Sequence, residues 1–221
     1  MNTAIRADAE LRGPRRRMVE RLASGGVRDP RVLAALAAVP RHRLVPEALH
    51  AQAYRDHALP IGDGQTISAP STVARMSEAL ELTGDECVLE IGTGSGYQAA
   101  VLGHLAERIV SVERLPRLAA AARRALDRLG IRNVIVHLGD GSLGRPQEGP
   151  YDAIVVTAGA PDLPRPLLAQ LAAGGRLVAP VGPRGGQRLV RVRRTAEGRF
   201  RAEALGPCRF VDLVGRHGRA A

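Results

Sequence analysis

Beyond residue 86 the chain alternates between short apolar runs and longer amphipathic ones. "CVLEI", "IVSVE", "NVIVHL", "YDAIVV" and "RLVAPV" are rich in Val, Ile and Leu and predict buried strands. Between them, "YQAAVLGHLAER", "LPRLAAAARRALDRLG" and "PRPLLAQLAAGG" space apolar residues three and four apart and predict helices, the second closed by Gly130. Strands alternating with such helices define an α/β fold with a doubly wound, mostly parallel sheet. Near the C-terminus, "QRLVRVRRTAEGRFRAEAL" alternates across a Glu-Gly turn, which predicts an antiparallel hairpin at the sheet edge. Upstream, Ala/Leu-rich runs from about Arg15 to His50 predict an N-terminal helical extension. Asp29 before Pro30 reads as a helix cap followed by proline in the first turn, and Pro40 ends that run. In "PSTVARMSEALEL", Val73, Met76 and Leu80 share one helical face.

Composition narrows the chemistry. The core is aliphatic, with Trp 0, Phe 2 and Tyr 3, too few aromatics for a base-stacking platform. The formal net charge is +10, and all 32 basic side chains are arginine. Residues 1–17 carry a net +3, and Arg216 and Arg219 add two more charges, so half the excess falls on segments expected to be solvated tails. No stable nucleic-acid partner is therefore expected. Cys87 and Cys208 lie far apart without ligand-like spacing, so neither a disulfide framework nor a metal site is expected. Their reduced state, with no membrane-spanning run and no signal-peptide pattern, leads to the expectation of a cytoplasmic monomer.

The candidate chemistry begins at "EIGTGSG". Gly92, Gly94 and Gly96 follow a strand and precede a helix, where glycine permits a tight turn and close approach of a ligand to the backbone. Glu113 ends the next strand, where a carboxylate can accept both hydroxyls of a ribose; the plain alternative is an exposed strand end. A dinucleotide or S-adenosylmethionine fits this much. The dinucleotide fingerprint is G-x-G-x-x-G over a pyrophosphate, whereas this chain has G-x-G-x-G preceded by Glu90, a carboxylate that repels phosphate and tolerates a sulfonium. Asp140 in "GDG" follows the third strand, within reach of an adenine amino group, although turn chemistry alone would also explain it. Together these residues favour the methyl donor, held by Glu90, Gly92, Thr93, Gly94, Gly96, Glu113, Asp140 and Gly141.

The motif order resembles the protein-L-isoaspartate O-methyltransferases, a branch of the Rossmann-like class I methyltransferases, over about Met18 to Gly215. The resemblance rests on "VPRH", "ALPIGDGQTISAP", "VLEIGTGSGYQAAVL", "SVER", "GDG", "PYDAIVVTAGAP", "QLAAGGRLVAPVG" and "FVDLVG". It implies a single domain over 18–215: a helical cap and substrate loop at 18–82, a cofactor-binding core at 83–186 and C-terminal strands at 187–215. Tails are expected at 1–17, disordered, and at 216–221. It also implies a protein-repair reaction, in which methyl passes from S-adenosylmethionine to the free α-carboxyl of L-isoaspartyl residues and the ester cyclises to a succinimide. The serine of "QTIS", here Ser68, is implied as the active-site residue, with Thr66 beside it as a substrate or cofactor contact. A relative that methylates Asp in a dedicated peptide would carry the same motifs, and an RNA methyltransferase is a weaker rival because "TAGAP" lacks the Pro-Pro-aromatic run of amino-group methylation.

The chemistry explains the Gly/Pro-rich loop. A substrate carboxylate is ionised at neutral pH, so methyl transfer needs no general base, only an oxygen held in line and shielded from water. Hydroxyls and the N–H groups at a helix start suit that task, and Ser68 precedes a helix. The bland alternative for Ser68 is an N-cap, and for Thr66 a turn residue. Thr157, after the fourth strand, falls where such enzymes line the donor pocket. His42 and His57 are expected to be solvent-exposed. Three positions depart from the family pattern: Gly159 for alanine, Asp212 for proline and Leu44 for phenylalanine. Asp212 is expected to loosen the C-terminal segment over the substrate cleft.

Overall fold

The computed structural model describes residues 2–220. Two helices open the chain, α1 (Asn2–Ser24) and α2 (Pro30–Ala38). Asp29 caps α2, its carboxylate accepting the N–H of Arg31 and Val32, with Pro30 in the first turn. Two short 3-10 turns lead to a hairpin, β1 (Leu59–Gly62) and β2 (Gln65–Ile67), and to α3 (Pro70–Ala79). The core follows as β3 (Cys87–Ile91), α4 (Tyr97–Leu102), β4 (Arg108–Glu113), α5 (Pro116–Arg128), β5 (Val134–Leu138), β6 (Tyr151–Val156), α6 (Arg165–Ala169) and β7 (Leu171–Val181). An antiparallel pair, β8 (Arg188–Arg194) and β9 (Phe200–Pro207), ends it.

The seven-stranded sheet has the order β5-β4-β3-β6-β7-β8-β9, parallel from β5 through β7 and antiparallel beyond. This is the expected doubly wound sheet with its C-terminal hairpin. The central strands β3, β4 and β6 are almost wholly buried, which is why they read as continuous apolar runs. One half of the sheet grows outward from β3 through β4, the other through β6, so the winding reverses beside β3. A crevice opens at the C-terminal ends of strands at such a reversal.

Four expectations need correction. The expected disordered tail is helical from Asn2 and continuous to Ser24, despite Pro14 inside it. Tertiary contacts hold it: Met18 and Leu22 are buried, and the Asp8 carboxylate accepts from Arg43 and from His42 Nε2 at 2.8 Å. His42 is therefore buried, not solvent-exposed, with its other ring nitrogen 2.7 Å from the Tyr54 hydroxyl; His57 is exposed as expected. The C-terminal residues are bound too. Arg216 N donates to Asp140 Oδ2 at 2.8 Å, and His217 N donates to Ser142 Oγ at 2.9 Å. Finally, "LAAGG" belongs to β7, where pairing with Tyr151 of β6 overrides its helix-like composition.

Candidate active site

A cavity opens at the crevice. Its floor is made by Gly92 and Gly94 after β3, its sides by Glu113 of β4 and Thr157 after β6, and its outer wall by Thr66 of β2 and Ser68 just after it. Gly92, Gly94 and Gly96 all have positive φ, at 94°, 54° and 85°. Side chains would strain each position, and a β-carbon on Gly92 would press on Thr157 Oγ1. That hydroxyl lies 2.6 Å from Gly92 O and 2.9 Å from Ile91 O, fixing the turn from the far side. From the near side, Glu113 Oε2 accepts the N–H of Gly94 at 2.9 Å while Oε1 accepts that of Leu115, also at 2.9 Å. Each carboxylate oxygen keeps a lone pair for a ligand hydroxyl.

The expected donor residues separate into two groups. Gly92, Thr93, Gly94, Glu113 and Gly141 line the cavity. Glu90, Gly96 and Asp140 do not, and each has another task. Gly96 packs toward Ala122 and Leu126 of α5. Both Asp140 oxygens are engaged: Oδ1 by Ser142 N and Oγ at 2.9 and 2.7 Å, Oδ2 by Arg216 N. The carboxylate ties the third-strand turn to the C-terminal segment, as the turn reading expects. Glu90 is fully buried behind the turn. One of its oxygens accepts from the Ser111 hydroxyl, which lies 2.5 Å from Thr93 Oγ1; the other has no partner among the described residues. Burial, aided by the nearby Glu113 charge, pushes the Glu90 carboxyl up to about 8. This favours its neutral form at pH 7 and weakens any repulsion of a phosphate there.

Within "ALPIGDGQTISAP", Gly62, Asp63 and Gly64 form a turn and all have positive φ, at 94°, 52° and 67°. It reverses the chain so that Ile67 pairs with Leu59 and both are buried, carrying the hairpin across the glycine turn. Arg117 at the start of α5 donates to Asp63 Oδ2 at 2.8 Å and pins the hairpin there. Ser68 is not the cap of α3: that position is Ala69, without a side-chain bond, and Asp56 Oδ1 accepts the N–H of Ser71 at 2.9 Å. Asp56 thus takes a helix-start donor expected for a substrate anion. The Ser68 hydroxyl makes no hydrogen bond among the described residues, and Ser68 lines both the inner cavity and an open outer cleft of ≈ 470 Å³.

Residue 212 departs from expectation in the opposite sense. Asp212 Oδ2 accepts from Arg184 Nε at 2.7 Å, and Oδ1 pairs with Arg219 at 3.0 Å. The neighbouring backbone is bonded to Gly159, whose N–H donates to Val211 O and whose carbonyl accepts from Leu213 N. The segment is fastened, not loosened. Sequence reasoning missed the side chain that helps fasten it, Gln187, whose Oε1 accepts the Phe210 N–H at 2.6 Å and whose Nε2 donates to Phe210 O at 3.2 Å. Only its context in the fold marks it out.

A doubly wound sheet with a glycine turn at its reversal and a carboxylate at the end of the neighbouring strand fits a class I methyltransferase. Comparison with known proteins narrows this further. The model of the protein-L-isoaspartate(D-aspartate) O-methyltransferase family matches residues 14–218, and the chain belongs to that family. It is 59% identical over 205 residues to protein-L-isoaspartate O-methyltransferase 1 of Syntrophobacter fumaroxidans, covering 92% of this chain and 95% of that one. The corresponding protein of Geobacter metallireducens is 57% identical over the same shares. Among solved structures, a protein-L-isoaspartate O-methyltransferase superposes with a TM-score of 0.83 at 31% identity, covering 92% of this chain and 67% of that one. A Plasmodium falciparum protein described as a putative member, in complex with S-adenosyl-L-homocysteine, superposes at 0.77 with 25% identity over 90% and 98% of the two chains.

Proposed function

We propose that this enzyme transfers a methyl group from S-adenosylmethionine to the free α-carboxyl of L-isoaspartyl residues in peptides and proteins. The observation that carries this reading is the position of Ser68: its hydroxyl stands between the donor cavity and the open cleft without an internal hydrogen bond. Gly92, Thr93, Gly94, Glu113 and Gly141 hold the donor, with Glu113 on the ribose hydroxyls. Glu90 acts from behind, through Ser111 and Thr93, as a support of the turn.

The donor supplies an electrophilic methyl on a sulfonium. A substrate carboxylate oxygen forms the new C–O bond while the C–S pair departs with sulfur, so no proton moves and no base is needed. Ser68 donates to the carboxylate oxygen that does not attack, and Thr66 borders the same anion. The hairpin above the turn limits water. The methyl ester then closes to a succinimide without help from the protein. The two free thiols, Cys87 and Cys208, suit a reducing compartment, and we place the enzyme in the cytoplasm on that ground.

The test is transfer of labelled methyl to paired synthetic peptides that differ only in isoaspartate or aspartate. Base-labile label on the isoaspartyl peptide alone supports the repair reading. Label on the aspartyl peptide would replace it with modification of ordinary Asp. Label on neither, with S-adenosylhomocysteine still bound, would remove the substrate assignment and leave the donor site standing.

A further inference from the structure

The outer cleft holds one charge. Ala58, Ala69 and Phe210 give it apolar walls, Ser68 and Thr157 give it hydroxyls, and Arg209 is its only ionisable lining residue. Arg209 is exposed and, among the described residues, makes no ion pair or side-chain hydrogen bond, unlike Arg184, Arg191, Arg193 and Arg219 nearby in sequence. Its backbone is held on both sides. Cys208 N donates to Gln187 O at 3.0 Å, and the Gln187 amide holds Phe210. A fixed backbone therefore presents an unpaired guanidinium at the rim of the cleft that Ser68 opens into.

We propose that Arg209 is a specificity-determining residue that favours isoaspartyl sites with an acidic side chain within two residues. This rests on the isoaspartyl reading of the cleft. The methyl-accepting carboxylate is a poor partner for Arg209, because a bidentate guanidinium would withdraw charge from the attacking oxygen, and Ser68 already supplies a neutral donor. A peptide lying extended in the cleft advances about 3.3 Å per residue, so side chains one or two positions away fall at the rim. There a guanidinium attracts Glu or Asp and repels Lys or Arg. The pair is exposed, so the preference is modest and weakens as ionic strength shortens the screening length to about 3 Å at 1 M salt.

The experiment measures kcat/KM on three isoaspartyl peptides that differ only in Glu, Gln or Lys two residues from the isoaspartate. At low salt the native enzyme should prefer Glu over Lys by roughly 5-fold, with Gln between, as expected for a solvent-exposed charge pair. In R209Q the ratio should fall below about 2, and in R209E it should invert, on the same scale. Binding of S-adenosylhomocysteine, which lies in a cavity that Arg209 does not line, confirms that each variant is folded. Equal rates on all three peptides with the native enzyme, or a ratio unchanged in R209E, would overturn the assignment. So would an equal loss on all three in R209Q, which would put Arg209 on the accepting carboxylate itself. If the native enzyme methylates none of the peptides, the isoaspartyl reading fails and this inference falls with it.

Discussion

The amide of Gln187 fills the space that a β-carbon on residue 159 would occupy. Gly159 and Gln187 are thus complementary, and the glycine that departs from the family's usual alanine has a packing reason. Gln187 is buried and uses both ends of its amide on Phe210. Gly159→Ala should displace that amide, break one or both bonds and cost about 1–3 kcal/mol, the range for overpacking a buried site. Because Phe210, the residue this amide holds, lines the outer cleft and not the donor cavity, KM for the peptide should rise more than KM for the donor. The double variant Gly159→Ala, Gln187→Ala should recover part of the stability lost, read by urea unfolding.

Ser68→Ala separates positioning from stability. The Ser68 hydroxyl has no partner among the described residues, so its loss should change unfolding free energy by less than about 0.5 kcal/mol. A hydrogen bond to a charged group contributes about 1.5–3 kcal/mol, so kcat should drop roughly 10- to 100-fold with S-adenosylhomocysteine affinity unchanged. A large loss of stability would return Ser68 to a structural role.

Much of this arrangement is legible in the residue pattern, for physical reasons. The strands of the parallel core bury both faces, so their apolar runs stand out, and the glycine turn and Glu113 follow at fixed offsets from them. Ser68 is legible only through its motif. The failures share one cause, contacts between residues distant in sequence. Gly13, Pro14 and three consecutive arginines read as a tail, yet Asp8 meets His42 across the helical cap and α1 continues through them. "LAAGG" reads as a helix end until β6 pairs with it. Asp140 and Glu90 sit where the motif places them, but burial and their partners turn one into a fastening and hold the other neutral.

Tyr97 offers a test of the buried cation beside the site. The Arg41 guanidinium carbon lies 4.8 Å from the Tyr97 ring centroid; both residues are fully buried, and the Tyr97 hydroxyl has no partner among the described residues. The ring contributes through its face and not through its hydroxyl. Tyr97→Phe should be neutral or slightly stabilising, since it removes an unpaired buried polar atom. Tyr97→Leu loses the cation–π contact and part of the packing, and should cost about 2–4 kcal/mol. If Tyr97→Phe is as damaging as Tyr97→Leu in thermal unfolding, the hydroxyl has a partner in solution and this account of the pair is wrong.

The pH dependence of stability should carry the signature of Glu90. Its carboxyl titrates near 8 in the folded protein and near 4.5 when unfolded. Between those values the native state holds a proton that the unfolded state has released. Stability from this group is therefore complete below about pH 4.5 and is lost as pH rises toward and through 8. The shift corresponds to something on the order of 5 kcal/mol across the window. Glu90→Gln keeps a neutral, hydrogen-bonding side chain and removes the ionisation, so the native protein should lose stability from pH 5 to 9 relative to the variant. Urea midpoints measured for both proteins over that range isolate the effect, because every other titrating group is common to them. Parallel curves would mean that Glu90 is ionised at neutral pH, and its repulsion of a phosphate would be restored.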